Sequence, residues 1–203
     1  MNALFKPTHI HSKLDGSWLY LHEQMPPQKW AALPSFGTAA TWLGMHHSLR
    51  RGQGELDYLS REYQQGRLLW PDYRSRLLHA AELHYGHLHG HHRLEDTHHF
   101  PQMRKLEPKL ARGFDVLDAD HHHIEQQLYR IQTLLAALKQ SEAANPTLAD
   151  NLAQAIEEGG GALYRHLAAA EDMVIPLLAL RADYFLFILQ VMLILKNNTN
   201  RPP

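Results

Sequence analysis

Four stretches of this chain carry apolar residues at helical spacing, and each interrupts its apolar stripe with a histidine. The longest follows Pro108, where Leu110, Phe114, Leu117, His121, Ile124, Leu128, Ile131, Leu135 and Leu138 step by four and three without a break. That pattern is one face of a long helix. A second stripe follows Trp70-Pro71-Asp72 through Leu77, Ala81, His84, Leu88, His91, Glu95 and His98, and is expected to close at Pro101. Upstream, Trp42, His46, Leu49, Gln53 and Leu56 form a weaker stripe, loosened by Gly52 and Gly54. Each glycine costs about 1 kcal/mol relative to Ala inside a helix. Asn145-Pro146-Thr147 opens a fourth stripe through Leu148, Leu152, Ile156, Leu163 and His166, expected to end near Pro176. Period-two apolar runs bounded by turn residues are missing. The expected fold is all-α: an up-down-up-down antiparallel four-helix bundle with short links.

The bundle is expected to span residues 37–178. Residues 1–36, with prolines at 7, 26, 27 and 34 and tryptophans at 18 and 30, read as an irregular arm laid over it. Residues 179–203 are expected to form an apolar C-terminal helix or tail. Its core, YFLFILQVMLIL at 184–195, is interrupted by Gln190 and falls short of the roughly 20 apolar residues of a membrane span. It is expected to pack on its own bundle or on a second copy, as a homodimer. The triple glycine at 159–161 predicts a kink, a π-bulge or a close helix contact.

Composition narrows the chemistry. Twenty Lys and Arg against 21 Asp and Glu leave a charge of −1, which offers no attraction for nucleic acid or a membrane surface. With no cysteine, disulfides, thiolate metal sites and thiol catalysis are excluded together. The 17 histidines stand out, and imidazole with carboxylate suits iron, zinc, copper or nickel. MNALFKPTHIHSKLDG lacks the basic and apolar regions of a secretory signal, so a cytoplasmic location is expected. Neither a nucleophile elbow nor a phosphate-binding glycine loop is found, since GGG has no following lysine.

The stripe histidines are His46, His91, His121 and His166. Unpaired in one core, each would cost on the order of 1–3 kcal/mol; a shared metal satisfies them all. His46 to His91 is 45 residues and His121 to His166 is 45 again, which puts each pair at matching depth on neighbouring antiparallel helices. The carboxylates repeat too: HHRLEDTHHFP (91–101) and HLAAAEDMVIP (166–176) both start with histidine, carry Glu-Asp and end on proline. Glu95 shares the face of His91, four residues back. Glu171 lies five residues from His166, with Ala170 in the equivalent place, and has to reach inward or use a local bulge. A glutamate can place one oxygen on each of two ions. In the HHH run, His121 keeps the stripe and is preferred to His122, while His123 points away. His47 and His92 read as polar-face residues. His84 and His98 are either donors behind the ligands or bundle-end histidines, and Tyr85, Tyr129 and Tyr164 fall near ligand positions.

Taken in order, WLGMHHSLRR, HHRLEDTHHFP, LDADHHHIEQQL and HLAAAEDMVIP resemble the hemerythrin family, in particular bacterial proteins with the hemerythrin-like HHE cation-binding domain. The resemblance implies His46, His91, His121 and His166 as terminal ligands, with Glu95 and Glu171 as bridging carboxylates. The implied cofactor is two iron ions in a non-haem centre, with an oxo, hydroxo or water bridge. Oxygen-carrying members have a fifth histidine one turn after the first on the third helix, where this chain has Glu125. Glu125 is therefore expected as a further metal ligand that favours the oxidised ions and makes reversible oxygen carriage less favourable. The implied function is binding or sensing of a small diatomic ligand, oxygen or nitric oxide. Two alternatives are a di-iron redox enzyme acting on peroxide or nitrogen oxides, and an iron-handling protein that stores or donates the metal.

Overall fold

The computed structural model describes residues 5–35 and 37–181, and these are helical with no strand among them. The apolar segment at 184–195 lies outside the described residues. The long elements are α1 (Thr38–Gln64), α2 (Trp70–Leu94), α4 (Ala111–Gln140) and α5 (Pro146–Leu180), with the short α3 (Phe100–Leu106) between α2 and α4. Among the described residues, no helix is long and apolar enough to cross a membrane. Contacts divide the chain into two compact units, residues 46–167 and residues 1–45 with 168–203, so the boundaries fall inside α1 and α5.

In the 46–167 unit the predicted stripes become the core: Leu49 and Leu56 of α1, Leu77 and Leu88 of α2, Ile124 and Leu128 of α4, Leu152 and Ile156 of α5. α1 stops because Gly66 turns the chain at φ 70°, a region open to glycine. Pro71 sits in the first turn of α2, where its missing N–H is not needed.

Side-chain contacts give four antiparallel neighbour pairs. Across α1 and α2, Glu55 lies 3.7 Å from Arg76, and Gly52 faces His84. Across α1 and α5, Gln64 bonds Asp150 at 3.0 Å while Gln53 donates to the Ile156 carbonyl at 3.1 Å. Arg74 of α2 donates to the Leu138 carbonyl of α4 at 3.0 Å, and Arg130 of α4 donates to Glu158 of α5 at 2.6 Å.

The glycines are consequences of these approaches. A Cβ on Gly160 would stand 2.5 Å from Nε2 of Gln53, whose buried amide also reaches Asp57 at 2.9 Å. The triple glycine is thus a close helix contact, one of the three arrangements expected. Gly52 makes room in the same way: a Cβ there would stand 2.6 Å from Nδ1 of His84.

α2 does not end at Pro101. Residues Glu95–His99 form a π-helical segment, with the Phe100 N–H donating to the Glu95 carbonyl, and α3 then resumes with Pro101 in its first turn. Proline is accepted because it stands where a helix begins again.

α5 also outruns its expected end, passing through Pro176 to Leu180. Pro176 has no N–H to give the Asp172 carbonyl four residues back. His22, in a 3-10 turn (Gly16–Glu23) of the N-terminal arm, donates to that carbonyl through Nε2 at 2.8 Å. Thr8 completes the contact, its N–H and hydroxyl donating to Asp172 Oδ2 at 2.7 and 3.0 Å. All of these residues belong to the 1–45 and 168–203 unit.

Candidate metal centre

Within the 46–167 unit, α1, α2, α4 and α5 each turn one stripe histidine inward: His46, His91, His121 and His166 are all buried. Glu95 stands among them with no exposed surface. Its two oxygens face different partners. Oε1 lies 3.3 Å from Nε2 of His91 and 3.9 Å from Nε2 of His46. Oε2 lies 3.1 Å from Nε2 of His121 and 3.6 Å from Nε2 of His166. Ligands about 2.1 Å from one ion stand about 3–4 Å from each other, depending on the angle between them, so these separations suit donors that share a cation.

Two groups of ligand atoms result, one of His46, His91 and Glu95, the other of His92, His121, His166 and Glu95. In the first, the rings of His46 and His91 cross at 86°. In the second, His121 and His166 are tilted by 58° with their Nε2 atoms 3.0 Å apart. Two like nitrogens at that distance need a proton or a cation between them.

Electrostatics separate the roles. Burial drives His91 down to about 3, outweighing the nearby Glu95 charge. Burial also lowers His166. His92 falls far below the imidazole range, through burial and then its neighbours His121 and His166. For Glu95, burial opposes ionisation, but His91 and the imidazoles of His121, His166 and His46 hold it well below the carboxylate range. His121 moves the other way: burial pulls it down, while Glu95 and Asp96 together raise it. Nδ1 of His121 is 2.6 Å from Asp96 Oδ1. A proton on Nδ1 leaves the Nε2 lone pair facing Glu95 and His166.

The π-helical segment builds the floor of this site. Five residues make just over one π turn, so Glu95 and Phe100 share a face, and Phe100 stacks on His121 at 5.6 Å between centroids.

The structure brings together His46, His91, Glu95, His121 and His166, and leaves out two of the carboxylates expected from sequence. Glu125 is solvent-exposed and outside both groups. The buried arc of α4 runs through Leu117, His121, Ile124 and Leu128, and position 125 falls to its solvent side. Glu171 is buried but belongs to the other compact unit and to neither group. α5 stays α-helical through it, so the bulge considered for Glu171 occurs instead in the other copy of the repeat, after Glu95.

His92, read from sequence as a polar-face residue, is buried and stacked on His121 with centroids 4.0 Å apart. His84 is buried against Gly52, and Tyr129 is exposed. His47 is exposed, as expected.

Comparison with curated proteins and with solved structures gives no match. A family model does match, described as the hemerythrin HHE cation-binding domain, over residues 38–183. That span holds every residue of both ligand groups, and the chain belongs to the hemerythrin HHE cation-binding family.

Proposed function

We propose that this chain is a non-haem di-iron protein that binds or senses a small diatomic ligand, oxygen or nitric oxide. The division of Glu95 between two imidazole pairs carries this reading: Oε1 serves His46 and His91, and Oε2 serves His121 and His166. His46 and His91 with Oε1 would hold one ion, and His121 and His166 with Oε2 a second. Imidazoles around one ionised glutamate fit ferrous ions, and the four antiparallel neighbour pairs fit an up-down-up-down four-helix bundle. An iron pair, when bound, supplies one-electron chemistry toward oxygen or nitric oxide. The protein's part is to hold His91 and His166 neutral, fix the His121 tautomer through Asp96, and exclude bulk water from Glu95.

The enzyme alternative leaned on Glu125 as an additional ligand, and its exposure removes that support. The test is anaerobic loading with ferrous iron, iron counted per chain, then visible spectra as oxygen is admitted and withdrawn. Two irons and a charge-transfer band that disappears on deoxygenation are expected. Two irons with irreversible oxidation point to redox chemistry on peroxide or nitrogen oxides; fewer than two irons sinks the di-iron reading.

A further inference from the structure

His92 contributes a nitrogen to the second ligand group, yet its ring geometry argues for a different job. An imidazole binds a metal along a lone pair in its own ring plane. Two imidazoles on one ion therefore have planes that meet at the ion. His121 and His166, inclined by 58° with Nε2 atoms 3.0 Å apart, satisfy this. His92 and His121 do not, because their planes differ by only 21° and lie face to face with centroids 4.0 Å apart. Stacked planes share no point within bonding distance of both nitrogens. His92 does cross His166 at 78°, so only one of the stacked pair can bind beside His166, and it is His121 whose Nε2 stands 3.0 Å from His166 Nε2 and 3.1 Å from Glu95 Oε2. Phe100, which has no nitrogen to offer, is stacked on the same imidazole at 18° and 5.6 Å.

We infer that His92 is a positioning residue that works through the face of its ring: with Phe100 and Asp96 it fixes the orientation of His121, and it is not itself a metal ligand. Asp96 fixes the proton of His121 on Nδ1 only while the two stacked rings hold that nitrogen against it, so the rings govern both where Nε2 points and which tautomer persists. The inference rests on the di-iron reading for its consequence, the affinity of the second ion, but the orientation of His121 is observable without metal.

The experiment compares the full-length wild type with His92→Phe, which keeps a ring face and removes both nitrogens, and His92→Ala, which removes both. Ferrous iron retained against a competing chelator is measured anaerobically. In parallel, the metal-free proteins are examined by two-bond proton–nitrogen correlation of the His121 ring.

His92→Ala is expected to lose the second iron at least about 10-fold more readily and to blur the His121 tautomer, with His92→Phe close to wild type in both. Equal loss of iron in Phe and Ala variants overturns the inference in favour of a nitrogen ligand. A His121 spectrum unchanged in His92→Ala also overturns it, and stands even if His92→Phe does not fold. If the wild type fails to bind two irons, the di-iron reading falls, and the His121 spectra alone decide the positioning role.

Discussion

Asp96 shows how much of this site depends on residues that touch no ion. Its carboxylate is partly exposed, so its removal should barely change folding stability, yet it holds Nδ1 of His121 at 2.6 Å. Asp96→Ala is therefore expected to weaken iron retention by about 10–100-fold while the melting temperature of the metal-free protein moves little. Chelator competition and thermal unfolding, run side by side, check both halves. Gly160 is the opposite case, with no chemistry and a large structural consequence. Gly160→Ala places a methyl 2.5 Å from Nε2 of Gln53, displacing a buried amide from the Ile156 carbonyl, and should cost about 1–3 kcal/mol in denaturant unfolding. A variant as stable as wild type would show that Gln53 repacks freely. At this scale the sequence declared His46, His91, Glu95, His121 and His166, because each sits on an apolar stripe where only a satisfied polar group is tolerated. It concealed His92, whose neighbour His91 already occupied the inward position of an ideal helix. Glu125 lies outside both groups for the converse reason: its spacing from His121 matches a family position, while the buried arc of α4 is set by Ile124 and Leu128.

Among the elements, α5 illustrates how a helix survives an internal proline. Pro176 strands the Asp172 carbonyl, and the His22 ring supplies the missing donor from the N-terminal arm. Replacing His22 with Phe keeps the ring volume but leaves that carbonyl buried and unsatisfied, at a cost of about 1–3 kcal/mol. In a Pro176→Ala background the backbone N–H returns and can take over the bond, so the same replacement should cost less. A double-mutant cycle measures the difference, and strict additivity would refute the link. Helix starts were readable from Pro71 and Pro146 because proline at a first turn has a physical reason to be there. The ends were not, because Pro101 and Pro176 were both accommodated: one by a π-helical segment and the other by a side chain distant in sequence, which local pattern cannot show.

For the molecule as a whole, metal binding and protonation compete for the same nitrogens. The raised His121 retains its proton above the ordinary imidazole value of 6.5, so iron has to displace it. Apparent iron affinity should therefore climb as pH rises and continue to climb past 6.5, whereas His91 and His166, lowered by burial, are already neutral there. Anaerobic titrations at successive pH values test the sign; a plateau below 6.5 would contradict it. The all-helical character and the two equal 45-residue spacings were visible in the chain because one architectural unit is used twice. The division into two compact units, cutting through α1 and α5, was not, since continuous helices carry no mark of such a boundary.

The π-helical segment has one more consequence, for chain length. It contains one residue more than an α-helix needs to carry Glu95 and Phe100 to the same face. Deletion of Thr97, an exposed residue whose hydroxyl donates to the Arg93 carbonyl one turn back and meets the neighbouring His98 ring, would return the stretch to ordinary pitch with both side chains still inward. Deletion of Gly90, inside regular helix, would instead rotate everything beyond it by about 100°. Circular dichroism and iron content should thus separate the two deletions, the first near wild type and the second without its metal pair. Relatives one residue shorter between the glutamate and the Phe-Pro pair can then hold the same centre, and a fixed-length pattern would pass over them.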